Sequence, residues 1–274
     1  MEYCVNYICD GVLDCGQKGE QYIKYPGRMC DIETLEKLYL KNYPIVLHGI
    51  IPSSGSILDP HLCDNLDDYC QYVIDTKQKW LSFHFDYRER YNDTNYMQSL
   101  EKNLAILRSK FPDIKILIEN VPKVSQMQPW YSDPKSFNQI LQKYNLKMLL
   151  DISHAMVSAN YIGMSFEQYV SMFDLDRVIE IHFSGTATRQ DGKMYDAHFE
   201  GNKKDYECFE YAIKKCPNVQ MITLEYSPII EKDNKTEVQE VYSKQQEQIE
   251  KLKQIYENIK KQWKNTIKVE LKIF

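Results

Sequence analysis

Eight short apolar runs recur along the chain, and helical segments separate most of them. Runs of this kind, rich in branched and aromatic residues, are typical of parallel strands that are buried on both faces. The predicted strands are Cys4–Cys9, Tyr22–Tyr25, Ile45–His48, Leu81–Phe85, Ile114–Glu119, Met148–Asp151, Val178–Phe183 and Val219–Glu225. Because parallel neighbours need crossover connections, this alternation predicts an α/β fold, the eight-stranded β/α (TIM) barrel of about 250 residues. An open doubly wound sheet is the alternative fold.

The segments between the predicted strands carry apolar residues at helical spacing. The predicted helices are Ile32–Lys41, Asn65–Lys79, Asn95–Lys110, Pro134–Tyr144, Phe166–Phe173 and Tyr206–Lys215. The first connection, Asp10 to Gln21, has no helical pattern. No linker rich in proline, glycine or serine interrupts the chain, so we expect a single domain.

A long amphipathic helix is predicted after the last strand, over Glu237–Lys264, because apolar residues recur there every three or four positions. We expect this helix to pack on the barrel, so that residues 1–236 form the barrel and 237–274 a helix and tail. A surface for partner docking or a coiled coil is the alternative. Thr266–Phe274 alternates apolar and polar residues, which favours an edge strand added to this chain or to a neighbouring one.

The composition argues against several classes of protein. With 34 Lys and Arg against 39 Asp and Glu, the net charge is −5, whereas nucleic-acid-binding domains usually have a basic excess. No apolar run approaches the ~20 residues of a membrane span, and the amino terminus lacks the pattern of a secretory signal. We therefore expect a cytoplasmic protein without a membrane segment. The eight cysteines contain no Cys-x-x-Cys pair, which excludes a zinc ribbon or a thioredoxin-like motif.

Histidines and carboxylates gather at the predicted strand ends. Three of the six histidines end or nearly end a strand, three carboxylates close other strands, and the motifs Asp-x-x-His and Asp-x-His follow two of the strands. The nine candidate site residues are His48, His84, Glu119, Asp151, His154, His182, Asp196, His198 and Glu225. Because the carboxyl ends of barrel strands form the mouth where barrel enzymes build their sites, we expect these residues to converge.

Carboxylates that converge in a buried mouth repel one another and lose hydration unless cations neutralise them. Nine nitrogen and oxygen donors exceed what one four- to six-coordinate ion uses, so we predict a di- or trinuclear metal site bridged by Glu119. Imidazole and carboxylate without thiolate suit iron, manganese or zinc, and this donor set leaves the metal open. His61 lies away from any predicted strand end and is not predicted to be a ligand, while Ser53 and Ser184 are interpreted as supporting residues near the ligands.

Three segments carry a resemblance to a known family. LHGIIPSSGS, LLDISHAMVSANYIGMSFEQYVSMFDLDRVIEIHFSG and YDAHFEG resemble the multinuclear non-haem iron-dependent oxidases, with the resemblance running from Tyr22 to Glu225 and strongest over Met148–Gly201. It implies a β/α barrel that holds two or three irons and uses dioxygen to modify ribosomally made precursor peptides, often at cysteine. It also implies a small, separate recognition protein, because no appended peptide-binding domain is visible.

The resemblance implies three groups of iron ligands. The first iron would be bound by His48, His84 and Glu119, the second by Glu119, Asp151, His182 and Glu225, and the third by His154, Asp196 and His198. The residues of the first two groups are expected to be catalytic.

Endonuclease IV is similar in the order of its ligands, which bind three zinc ions, so a phosphodiesterase is the alternative enzyme. The stretches VSAN and LDRVIEIHFSG, with the acidic net charge, favour the oxidase. Sugar isomerases of the same superfamily are also similar, but they normally lack the Asp196-x-His198 pair. A non-catalytic metal- or peptide-binding barrel is the alternative outside the enzymes.

Overall fold

Eight parallel strands of the computed structural model close into a barrel, as predicted, and the open sheet is excluded. The strands of the chain are β1 Glu2–Asn6, β2 Tyr22–Pro26, β3 Ile45–His48, β4 Trp80–His84, β5 Lys115–Glu119, β6 Lys147–Asp151, β7 Val178–Phe183, β8 Gly185–Thr188, β9 Met194–Phe199 and β10 Met221–Leu224. The order around the barrel is β1-β10-β7-β6-β5-β4-β3-β2, and β8 pairs with β9 in a separate antiparallel sheet. The structure describes residues 1–15, 22–26, 32–50, 55–64, 66–85, 96–125, 132–229 and 234–270.

Helices cover the outside of the barrel. They are α1 Asp10–Asp14, α2 Ile32–Leu40, α3 Leu66–Asp75, α4 Tyr96–Lys110, α5 Pro134–Lys143, α6 Ile152–Ile162, α7 Phe166–Val170, α8 Lys203–Lys215 and α9 Lys235–Glu270. Local chemistry fixes several of their ends. Asp133 caps α5, with Pro134 in the first turn, and Gly163 ends α6 in the left-handed conformation. Asn202 and Asp205 form a capping box that begins α8 three residues before the predicted start.

The strand register places two pairs of polar residues directly beside each other in the barrel. His84 is paired with Glu119, and Asp151 with His182, across neighbouring strands. Seven buried apolar residues form a separate cluster, contributed by Cys4, Val46, Trp80, Leu117, Leu149, Ile179 and Met221. Because alternate residues of a strand share a face, Leu117 lies on the same face as Glu119 of β5, and Leu149 on the same face as Asp151 of β6.

Two local predictions are wrong. The connection Asp10–Gln21 was expected to lack a helix, but α1 forms over its first five residues. Thr266–Phe274 was predicted as an edge strand, but the backbone is helical through Glu270, and residues 271–274 lie outside the described part. A closed barrel has no free edge for such a strand, whereas extending an existing helix adds one hydrogen bond per residue.

The long amphipathic helix predicted after the last strand is present as α9. Its inner face buries Val238, Val241, Ile249, Leu252 and Ile259 against the rest of the chain. The division at 236/237 stays a prediction. Among the described residues, no helix combines the length and the apolar character needed to cross a membrane.

We expect Leu252→Ala to destabilise the protein by about 2 to 5 kcal/mol, because Leu252 is fully buried and alanine leaves a cavity between α9 and the barrel. Urea unfolding would measure this free energy. Glu247→Ala, on the same helix, is the control and should change the stability little, because Glu247 is not among the buried residues. Equal stability of both variants would show that α9 does not contribute to the core.

Candidate metal centre

All nine predicted site residues converge at the carboxyl end of the barrel. Strands β3 to β7 contribute His48, His84, Glu119, Asp151 and His182 from their last one or two positions. The other four come from the start of α6, from β9 and from the residue after β10, namely His154, Asp196, His198 and Glu225. The structure therefore brings together the side chains that the sequence places at one mouth, and their role as ligands stays a prediction.

His48, His84 and Glu119 form the first group. The Nε2 atoms of the two histidines are 2.9 Å apart, and His48 Nε2 lies 3.3 Å from Glu119 Oε2. His84 Nδ1 lies 3.6 Å from the same oxygen. One donor atom from each residue falls within 4.8 Å of the others, so these three side chains could share one ion.

Asp151, His182 and Glu225 form a second, deeper group. His182 Nδ1 lies 3.1 Å from Glu225 Oε1 and 3.8 Å from Asp151 Oδ2. It also lies 3.8 Å from Glu119 Oε1, the oxygen of Glu119 that is turned away from the first group. Glu119 therefore has one oxygen towards each group.

The third group is nearer to solvent. Asp196 Oδ2 lies 3.0 Å from His198 Nε2 and 3.5 Å from His154 Nε2, and the His198 side chain is 40% exposed. His154 Nδ1 also lies 3.3 Å from Glu119 Oε1, and the donors of Glu119, Asp151 and His154 fall within 4.8 Å. His154 thus stands between the second and third groups.

A β-hairpin of β8 and β9 carries Asp196 and His198 of the third group, where the sequence predicted a loop. Ser184 lies between β7 and β8, and its hydroxyl donates to Asp196 Oδ1 over 2.7 Å. The other oxygen of Asp196, Oδ2, faces His154 and His198. At Gly185 a Cβ would lie 2.4 Å from the Glu200 carbonyl oxygen, so only glycine lets the hairpin close at its base. His198 has a φ of 49°, in the left-handed region that few non-glycine residues adopt.

Asp151 uses its two oxygens for different purposes. Oδ1 accepts hydrogen bonds from the His154 amide over 2.7 Å and from the Ser153 hydroxyl over 2.8 Å, and so caps α6. Oδ2 remains directed at the second group. Asn120 holds the backbone of Asp151 through hydrogen bonds in both directions, of 2.8 and 3.0 Å. The start of α6 and the site are therefore fixed together.

The site has the polar atoms that a cation would satisfy. Glu119 Oε2, Asp151 Oδ2 and His182 Nδ1 are buried and make no hydrogen bond of good geometry, although opposite groups lie 3.1 to 3.8 Å away. Buried polar atoms without partners are rare, because each one loses its hydration without compensation. Glu119 Oε2 belongs to the first group and the other two atoms to the second, so each of these groups has an unsatisfied donor atom that a metal ion would fit.

Burial and neighbouring charges set the protonation of the metal-free site. Burial lowers the pKa of His48 to about 4, and the positive charge of Lys24 adds to this effect. Burial also opposes protonation of His182, but the carboxylate of Glu225 raises the pKa of His182 to about 10. Burial raises the pKa of Asp151 to about 6. Protons therefore provide part of the positive charge that the carboxylates need when no metal is bound.

Outside the nine residues, the assignments are mixed. His61 is exposed and pairs with Asp64, and its exclusion from the ligands stays a prediction. Ser53 lies outside the described residues. A buried pair, Lys24 and Glu180, was missed, although Glu180 stands two residues before His182 on β7 and therefore shares its face. A charged residue within an otherwise apolar strand was the available signal.

Comparisons with known structures agree on the fold. A D-tagatose 3-epimerase-like protein superposes with a TM-score of 0.64 at 16% identity, covering 94% of this chain and 99% of that one. Endonuclease IV from Thermus thermophilus gives a TM-score of 0.56 at 14% identity, covering 90% of this chain and 99% of that one. At these identities the likeness shows a shared barrel fold and nothing about activity.

Sequence comparisons are more specific. A UPF0276 protein of Psychromonas ingrahamii is 28% identical over 163 residues, which are 54% of this chain and only 56% of that protein. The sequence model of the family described as RiPP precursor modification enzyme MbnB/TglH/ChrH matches residues 18–254, and RiPP denotes a ribosomally synthesised and post-translationally modified peptide. Because this match covers most of the chain and all nine site residues, the chain belongs to the MbnB/TglH/ChrH family of RiPP precursor modification enzymes.

Proposed function

We propose that this protein is a multinuclear, iron- and dioxygen-dependent oxidase that modifies a ribosomally made peptide at cysteine. The observation that carries the proposal is the position of Glu119, whose two oxygens face different groups of donors. A carboxylate in this position suits a bridge between two ions, which a single-ion site does not need. The family match over residues 18–254 supports a peptide substrate.

The first two groups are proposed to hold two ions, with His154, Asp196 and His198 holding a third. Iron is preferred on the resemblance to iron-dependent oxidases, and zinc or manganese are the alternatives that the same donors accept. When bound, the iron ions would supply the electrons for reducing dioxygen and a Lewis acid for a substrate thiolate.

The chain's own residues would orient the reactants and exclude water. His84 and His198, with 22% and 40% of their side chains exposed, mark the side from which a peptide would approach. Glu119, Asp151 and His182 lie at most 1% exposed beneath them, so water has little access to the deeper donors. The Ser184 hydroxyl fixes Asp196 from behind.

The partners are part of the proposal. A precursor peptide that contains cysteine is the proposed substrate, and a small, separate recognition protein is proposed to present it. No membrane partner is proposed, and the cytoplasmic location stays a prediction from the sequence. For the alternative, a zinc phosphodiesterase, the comparison with endonuclease IV at 14% identity supports the fold alone.

Elemental analysis and Mössbauer spectroscopy of anaerobically purified protein would test the metal. We expect two to three irons per chain, because the donors form two or three groups, and ferrous signals that become ferric when dioxygen is admitted. Two or three zincs with little iron, together with nicking of abasic DNA, would overturn the oxidase and favour phosphodiester hydrolysis. Metal that shows no redox change with dioxygen in the presence of cysteine-containing peptides would favour a non-catalytic barrel.

Replacing a proposed ligand should remove metal, whereas replacing an exposed histidine should not. We expect His84→Ala and Asp151→Ala to retain less iron than the wild type after loading and dialysis, and to lose turnover, because each lacks one donor of a group. His61→Ala is the matched control, since His61 is exposed and pairs with Asp64 rather than with a residue of the mouth. Full metal content in both ligand variants would contradict the assignment.

Metal binding should release protons. In the metal-free chain, burial opposes protonation of His182 and His198, but Glu225 and Asp196 respectively raise their pKa values to about 10 and about 9. Both rings are therefore protonated at pH 7, and a cation must displace a proton from each ring nitrogen that it binds. Affinity should rise with pH, by about tenfold per pH unit for each proton displaced.

Calorimetric titration with Zn²⁺ at pH 7, in two buffers of different ionisation enthalpy, would count the protons. Equal heats in both buffers, with equal affinity at pH 6 and pH 8, would refute this proton release.

A further inference from the structure

A buried ion pair lies inside the barrel, below the candidate metal centre. Lys24 of β2 and Glu180 of β7 are 1% and 0% exposed, and Lys24 Nζ donates to Glu180 Oε1 over 2.7 Å. In the strand register, Glu180 lies between the apolar Leu149 and Met221, and Lys24 lies between Val46 and Asn6. Burying two charges costs hydration, and a well-packed apolar pair often gives equal or greater stability. The pair therefore needs a reason other than stability.

Donors from several strands surround the Glu180 carboxylate. Thr223 Oγ1 of β10 donates to Oε1 over 2.6 Å, and Trp80 Nε1 of β4 donates to Oε2 over 3.0 Å. His182 Nε2 lies 3.3 Å from Oε1, in addition to the Lys24 ammonium. These contacts hold the carboxylate in one orientation, with Oε1 towards the His182 ring.

We propose that Glu180 is a positioning residue for the metal centre, which accepts the Nε2 proton of His182 so that Nδ1 presents its lone pair to the cation. The inference rests on the proposed function, because it takes His182 as a ligand. Nδ1 is the ring nitrogen that faces Glu119, Asp151 and Glu225. A metal-binding histidine usually donates from its other nitrogen to a carboxylate or carbonyl, which fixes the ring and strengthens the ligand.

Lys24 makes this role of Glu180 necessary. The Lys24 ammonium also contacts His182 Nε2, and an ammonium can only donate. Without the Glu180 carboxylate, Lys24 would donate to Nε2 and the ring proton would move to Nδ1, the nitrogen that the cation needs. In this proposal Glu180 accepts one ammonium proton of Lys24 and also the Nε2 proton of His182, which keeps that ring proton off Nδ1.

The proposal predicts that the two halves of the ion pair are not equivalent. Glu180→Gln removes the acceptor charge and should weaken binding of one ion by about 10- to 100-fold. Lys24→Met removes only the competing donor, and Glu180 keeps Thr223, Trp80 and His182, so metal affinity should be retained or increased. A purely structural ion pair predicts equal losses, because either change leaves one buried charge unpaired.

The experiment compares Fe²⁺ and Zn²⁺ affinities of the full chain, anaerobically and against a competing chelator. Glu2→Gln, whose partner Lys79 is on the surface, is the matched control and should bind like the wild type. Nitrogen-15 NMR of the zinc-loaded protein should show His182 protonated at Nε2 in the wild type and in Lys24→Met. If Glu180→Gln does not fold, Lys24→Met is compared with the double variant Lys24→Met/Glu180→Gln, which should bind one ion about tenfold more weakly.

The outcomes separate the two proposals. A wild-type chain that binds neither metal overturns the proposed function, and this inference with it. A wild-type chain that binds metal, with Glu180→Gln equal to it or Lys24→Met as weak as Glu180→Gln, overturns this inference alone. An Nδ1 proton on His182 in the zinc-loaded wild type does the same.

Discussion

Four carboxylates share the mouth of this barrel, and their mutual repulsion is the constraint to which the surrounding structure responds. Each carboxylate has an imidazole nitrogen within 3.8 Å, although Glu119 and Asp151 are almost completely buried. In a medium of low dielectric, uncompensated charges of one sign at such separations would favour the neutral acids. Histidines and carboxylates stand close together around the mouth, so protons on the imidazoles or bound cations can compensate the negative charge.

The part of the site that lies on barrel strands was predictable because two independent rules agree there. Hydrophobic runs locate the strands, and the topology of a parallel barrel brings their carboxyl ends to one face. These two rules are enough to predict that His48, Glu119 and Asp151 lie close together. Asp196 and His198 were also identified, from their spacing, but not the hairpin that carries them. The strands of that hairpin, β8 and β9, are only partly buried and have no run of apolar residues that predicts a strand.

Lys24 and Glu180 were not predicted from the sequence, for a different reason. Lys24 and Glu180 interrupt apolar strands, and an interpretation based on hydrophobic runs gives such interruptions no weight. The contact between Lys24 and Glu180 depends on the closure of the barrel, because the two residues are 156 positions apart in sequence and meet only across the barrel interior. The strand prediction after Thr266 failed for a similar reason, since whether a strand can form there depends on whether the sheet has an edge left to pair with.

The hairpin has a consequence for how such a centre diversifies. Strands β8 and β9 are hydrogen-bonded to each other in a sheet of their own, and the eight barrel strands close without them. The outermost pair of donors therefore belongs to an accessory segment rather than to the framework. In the proposed metal centre, changes to that segment would therefore alter the third group of donors while leaving the closure of the barrel intact.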